Sequence, residues 1–120
     1  DRGLTDFGRE LIARLNEAGI LIDLSHVGPN TARDAILAST KPVAYSHCAP
    51  AALQAHSRNK SDGQIRFIAE KGGFVGVTMF PAFLRRGAAS TVEDYVDAIG
   101  HVLNVAGEEQ VGLGTDMTQE

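Results

Sequence analysis

Apolar residues along this chain recur with two periods, and the two alternate. A spacing of three to four places Phe7, Leu11, Ile12 and Leu15 on one helical face, with Thr5 as N-cap and Gly19 as the stop. The same spacing predicts a second helix over Thr31 to Ala38, capped by Asn30 and presenting Ala32, Ala35 and Ile36. Two sequences of the capping-box type open the remaining helices. Ser61-Asp62-Gly63-Gln64 precedes Ile65, Ile68 and Ala69, which Gly72-Gly73 ends, and Ser90-Thr91-Val92-Glu93 precedes Tyr95, Val96, Ile99, Val102 and Leu103.

Between these segments lie short continuous apolar runs. They predict strands at Ile20 to Leu24, Val43 to Ser46, Phe74 to Met79 and Gln110 to Thr115. The order αβαβαβαβ implies a parallel sheet. Runs such as Ile20-Leu21-Ile22 suggest strands covered on both faces, as in a barrel or a doubly wound sheet. A complete (β/α)₈ barrel takes about 250 residues. The fold class expected is therefore α/β, a partial (β/α)₈ TIM barrel of about four βα units. Residues 1–120 then form a single partial domain, the C-terminal half of such a barrel.

Composition narrows the function. At 120 residues, 43% hydrophobic and 22% charged, the chain has the profile of a globular domain with one modest core. The net charge is −4, with lysines and arginines scattered, so no basic stripe points to nucleic acid and no polybasic cluster points to an anionic membrane. No apolar stretch is long enough to span a bilayer. The single Cys48 excludes an internal disulfide and a CxxC site, and it fits a reducing, cytoplasmic compartment.

Three polar residues end three of the apolar runs: His26 after Ile20-Leu21-Ile22-Asp23-Leu24-Ser25, His47 after Pro42-Val43-Ala44-Tyr45-Ser46, and Asp116 after Val111-Gly112-Leu113-Gly114-Thr115. On parallel strands all three project from one rim, where α/β proteins carry their chemistry. Two imidazoles one βα unit apart are candidate metal ligands, and zinc accepts such nitrogens well. Asp116 is a candidate acid/base, or equally the N-cap of a following helix. Arg58, in the loop after the second strand, is either a solvated cation or a clamp for a carboxylate. His56 reads as a loop hydrogen-bonding residue, His101 as structural, and Cys48 as a small buried residue.

The segments Gly3-Leu4-Thr5, Ile22-Asp23-Leu24-Ser25-His26-Val27, Pro42-Val43-Ala44-Tyr45-Ser46-His47, Arg58-Asn59 and Val111-Gly112-Leu113-Gly114-Thr115-Asp116 resemble the membrane (renal-type) dipeptidase family of zinc peptidases. The resemblance implies an amidohydrolase-like barrel with two Zn²⁺ per complete site, cleaving small dipeptides, including those with a D-residue on the C-terminal side. It implies that His26 and His47 are ligands of one zinc, that Arg58 contacts the substrate carboxylate, and that Asp116 is the catalytic acid/base. A homodimer is the candidate assembly. The family's first-strand His-x-Asp pair and bridging glutamate have no counterpart here, so only one metal's histidines are present and the chain by itself is expected to be inactive. After Asp116 stands Met117-Thr118-Gln119-Glu120 instead of the commoner Phe-Asp-Gly, and Phe80 stands where some members have tyrosine. Two other readings are a noncatalytic half-barrel that associates through its strand edges, and a related metal-dependent amide or ester hydrolase.

Overall fold

The computed structural model describes residues 1–118, so Gln119 and Glu120 lie outside the described residues. Helix α1 (Asp6–Ala18) starts where Thr5 Oγ1 accepts the Gly8 N–H at 3.1 Å, and it stops where Gly19 takes the left-handed conformation at φ 71°. After it come α2 (Pro29–Ala38), β1 (Ala44–Cys48), α3 (Asp62–Glu70), β2 (Phe74–Val77), α4 (Val92–Ala106) and β3 (Val111–Leu113). The strands pair in parallel in the order β1-β2-β3, so α3 and α4 are the crossovers between neighbours.

The expected first strand is the main departure. Over Ile20 to Leu24 only Asp23 bridges to Ala44, through Leu24 N–H to Ala44 O at 2.8 Å and Ala44 N–H to Ile22 O at 3.0 Å. The ladder stops there because the Asp23 carboxylate takes the next ladder donor, the Ser46 N–H, at 3.1 Å, while Leu24 O, which would accept it, takes the Val27 N–H at 3.1 Å. Ile20 and Leu21 are 55% and 63% exposed, not covered on both faces.

Other boundaries moved for identifiable reasons. Helix α2 begins at Pro29 with Gly28 as N-cap, and the Asn30 side chain is not its cap. Instead the Asp1 carboxylate accepts the Asn30 N–H at 2.6 Å and the Thr31 N–H at 3.1 Å, capping the helix from a distant part of the chain. At α4 the cap is Thr91, one residue beyond the expected Ser90, and Asp94 takes the Thr91 N–H at 2.9 Å in place of Glu93. The box at α3 forms as read, with Ser61 and Gln64 each bonding the other's N–H. Strands β2 and β3 are shorter than their apolar runs, and a 3₁₀ turn at Glu108–Gln110 leads into β3.

Alternation along β2 divides the sheet. Val75 and Val77 are fully buried in one cluster with Ile65 and Ile68 of α3 and Ala98 and Val102 of α4. Phe74 and Gly76 point the other way. The Phe74 ring lies over Gly112, where a Cβ would meet it at 2.8 Å, and it stays 40% exposed.

Candidate metal centre

The end of β1 carries an irregularity that aims a side chain. Tyr45 pairs with Val75 and Cys48 with Val77, so Ser46 and His47 together oppose Gly76 alone. Such a bulge bends the strand and redirects its residues. Here it brings the Ser46 carbonyl over Gly76 of β2 and Gly114 just past β3, where a Cβ on Gly76 would lie 2.1 Å from the oxygen and one on Gly114 only 1.7 Å. Any side chain at either position would displace the bulge.

His47, delivered by that bulge, meets His26 from the bridged segment beside it. Their Nε2 atoms are 3.0 Å apart, with ring centroids at 5.0 Å and planes tilted by 58°. Zn–N bonds of about 2.0–2.1 Å at a tetrahedral angle put two ligand nitrogens about 3.3 Å apart. The pair is a few tenths of an ångström tighter than that, so the imidazoles fit one ion with a slight opening. Among the described residues no third histidine, cysteine or carboxylate joins them in a metal-sized group.

Behind His47 lies a polar cluster that the sequence pattern did not single out. The Asp23 carboxylate receives the hydroxyl of Ser25 at 2.6 Å, the hydroxyl of Ser46 in a very close contact, and the N–H groups of both serines. Burial pushes the Asp23 pKa up, but these hydrogen bonds outweigh it and bring it down to about 2. Ser46 Oγ lies 2.8 Å from His47 Nδ1, and Ser25 Oγ accepts the His47 N–H at 3.1 Å. The signal was present as Asp-x-Ser-His in one run and Ser-His in the next.

Lys60 was also missed. Its side chain is buried, its Nζ donates to Val27 O at 3.1 Å, directly after His26, and it lies 4.8 Å from the Tyr45 ring centroid. Burial lowers its pKa. The neighbouring Arg58 lies over the Phe83 ring at 5.4 Å, and its Nε is buried with no hydrogen-bond partner among the described residues. Asn59 ties this loop to the one after β2, donating from Nδ2 to Gln54 O at 2.8 Å and Phe83 O at 2.9 Å.

Asp116 is exposed and adopts φ 58°, the left-handed region. The residue before it is held to the end of β2, where Thr115 O accepts the Met79 N–H at 3.4 Å and the Thr78 hydroxyl at 3.3 Å. The structure therefore brings His26 and His47 together. It places Asp116 two residues beyond Gly114, against which the Ser46 carbonyl rests. Elsewhere His56 Nδ1 accepts the Arg58 N–H at 3.1 Å, His101 bonds Asp62 at 2.7 Å across α3 and α4, and burial pushes the Cys48 thiol up to about 12, as their structural readings require.

The family model of membrane dipeptidases, peptidase family M19, matches residues 1–119. This chain belongs to the membrane dipeptidase family. An uncharacterized dipeptidase of Schizosaccharomyces pombe is 39% identical over 118 residues, which are 97% of this chain and 28% of that protein. An amidohydrolase of Pseudomonas aeruginosa superposes with a TM-score of 0.95 at 56% identity, covering 98% of this chain and 36% of that one. A metallo peptidase of Rhodobacter sphaeroides, liganded with a phosphinate mimic of the dipeptide L-Ala-D-Ala, gives 0.91 at 32% identity, with 97% and 34% covered. The chain thus spans about a third of the length of these relatives. Its α/β fold is a partial (β/α)₈ barrel of the membrane dipeptidase kind, and the His26–His47 pair lies where β1 runs beside the bridged segment that precedes it.

Proposed function

We propose that this chain supplies part of the active site of a zinc-dependent dipeptidase. The 3.0 Å approach of the His26 and His47 Nε2 atoms carries the reading, because it brings together two imidazoles from segments that bridge side by side. Family membership and metallo peptidase relatives support metal dependence. His26 and His47 would hold one ion. Zinc held there would supply Lewis-acid polarisation of a scissile carbonyl and activation of water at neutral pH.

The other residues act on the peptide. Arg58 takes the free C-terminal carboxylate in its planar fork, and stacking on Phe83 restrains the guanidinium before substrate arrives. Asp116, three residues past β3, accepts a proton from the attacking water and returns it to the leaving amine. The relative that holds an L-Ala-D-Ala mimic supports dipeptides with a D-residue at the C-terminal side as substrates. Among the described residues no third ligand joins the pair.

The test uses a chain of the relatives' full length carrying this segment. Zinc content and hydrolysis of L-Ala-D-Ala are measured for the parent, His26→Ala and His47→Ala. Loss of one zinc equivalent with activity in each variant is expected. Zinc content unchanged in both variants overturns the ligand assignment.

A further inference from the structure

We propose that Asp23 is a positioning residue for His47: acting through the Ser46 hydroxyl, it holds the His47 ring proton on Nδ1 and leaves the Nε2 lone pair facing His26. The proposal deepens the metal reading of the pair and rests on it for its bearing on zinc.

The argument is a count of protons. The backbone N–H groups of Ser25 and Ser46 can only donate, and both donate to Asp23 Oδ1, at 3.0 and 3.1 Å. The Ser25 hydroxyl has one proton and also faces Oδ1, at 2.6 Å. Its oxygen takes the His47 N–H at 3.1 Å, and since an amide N–H only donates, the Ser25 oxygen is an acceptor there. An ionised carboxylate only accepts, so at 2.6 Å the Ser25 proton goes to Oδ1 and not to Ser46 Oγ, which lies 3.3 Å away. The Ser46 hydroxyl stands in the same relation to the other carboxylate oxygen, Oδ2, in the closest contact of the cluster. With that proton directed at Asp23, Ser46 Oγ has only lone pairs left for the ring nitrogen 2.8 Å away. A hydrogen bond at that distance then needs its proton from His47 Nδ1. The ring has one proton when neutral, so Nε2 carries the lone pair, and Nε2 is the atom 3.0 Å from its counterpart on His26.

The bulge explains why this takes an intermediary. His47 Nδ1 lies 4.0 Å from Asp23 Oδ2, too far for a direct hydrogen bond. Because the bulge sets Ser46 and His47 side by side against Gly76, the serine hydroxyl can span that gap. Outer groups that bond the second nitrogen of a ligand imidazole fix its tautomer and ring orientation, and their loss costs about 10–100-fold in metal affinity or activity.

The test reads the tautomer directly, in a chain of the relatives' full length carrying this segment. Long-range nitrogen–proton correlations of ¹⁵N-histidine-labelled, chelator-treated protein locate the His47 ring proton, with His47→Gln used for assignment. The expected result is a proton on Nδ1 in the parent. Ser46→Ala and Asp23→Asn should both populate the Nε2–H form and weaken zinc binding by about 10–100-fold, with thermal unfolding reported alongside. Ser46→Thr, which keeps a hydroxyl, should restore both readouts. If Asp23→Asn does not fold, the Ser46 pair decides alone. A parent His47 protonated on Nε2, or Ser46→Ala with the parent's tautomer and zinc affinity, overturns the proposal. Failure of the metal reading looks different: His47→Gln would then bind zinc as the parent does, while the tautomer shift in Ser46→Ala would persist.

Discussion

Ser46 and Gly114 face each other across β2 so closely that a Cβ on Gly114 would stand 1.7 Å from the Ser46 carbonyl oxygen. The bulge that presents His47 therefore depends on the residue just past β3 having no side chain. In the structure Gly114 is room for the backbone that carries a candidate ligand.

Gly114→Ala should cost roughly 1–3 kcal/mol or more in stability, because the clash is with backbone and cannot be relieved by a rotamer change. It should also lower zinc content, since the displaced backbone belongs to the residue before His47. Gly100→Ala provides the contrast. Gly100 lies inside α4 with open space where a Cβ would go, so alanine there should stabilise by about 0.5–1 kcal/mol. Urea unfolding of the two variants in a full-length context checks the pair, and equal effects would contradict it.

Asp94 anchors the loop after β2 to the start of α4. It is buried, accepts the Thr91 N–H at 2.9 Å and Arg86 Nε at 2.9 Å, and has Arg85 Nε at 3.8 Å. The Thr91 N–H is the largest influence on its carboxyl and, with Arg86, holds it below the usual carboxylate range against opposing burial. A native pKa below the unfolded value of about 3.9 means that the unfolded chain binds more protons on acidification. The stabilisation is present above about pH 4 and fades as pH falls through the native pKa. Asp94→Asn should be less stable at neutral pH and lose less on acidification below pH ~4. Melting temperatures across that range test the sign, and parallel curves for the two proteins would refute it.

Arg58→Lys keeps the charge and loses the fork. KM for dipeptides should rise far more than KM for substrates whose C-terminal carboxylate is blocked. Steady-state kinetics on a matched pair of substrates decide this. The same shift on both would remove Arg58 from carboxylate recognition.

Asp116→Asn tests the acid/base assignment cleanly because asparagine tolerates the φ of 58° that Asp116 adopts. The backbone should hold, zinc content should stay at the parent level, and kcat should fall by roughly 10²–10⁴-fold with KM changed much less. Loss of zinc would make Asp116 a ligand. Near-parental turnover would leave it without a role in the reaction.

Local features were legible in the sequence because they depend on neighbours along the chain. Thr5 at the start of α1, Gly19 at its end, the Ser61–Gln64 box and the apolar face of α3 all involve partners within a few residues. So did the α/β alternation and the parallel sheet, since period and order follow from which residues water excludes. The rim histidines and Asp116 could be named for the same reason: each ends an apolar run.

Tertiary structure decided what distant residues do to one another. The Asp1 carboxylate caps α2, and the Asp23 carboxylate limits the first segment to one bridge by taking the Ser46 N–H that a ladder would use. The bulge at Ser46-His47 exists against Gly76 and Gly114, and it turns two rim histidines into a pair with nitrogens 3.0 Å apart. None of this has a sequence period. A hydrogen bond or a steric gap between residues dozens of positions apart is set by how strands register and stack, and that is fixed only when the whole sheet closes on its helices.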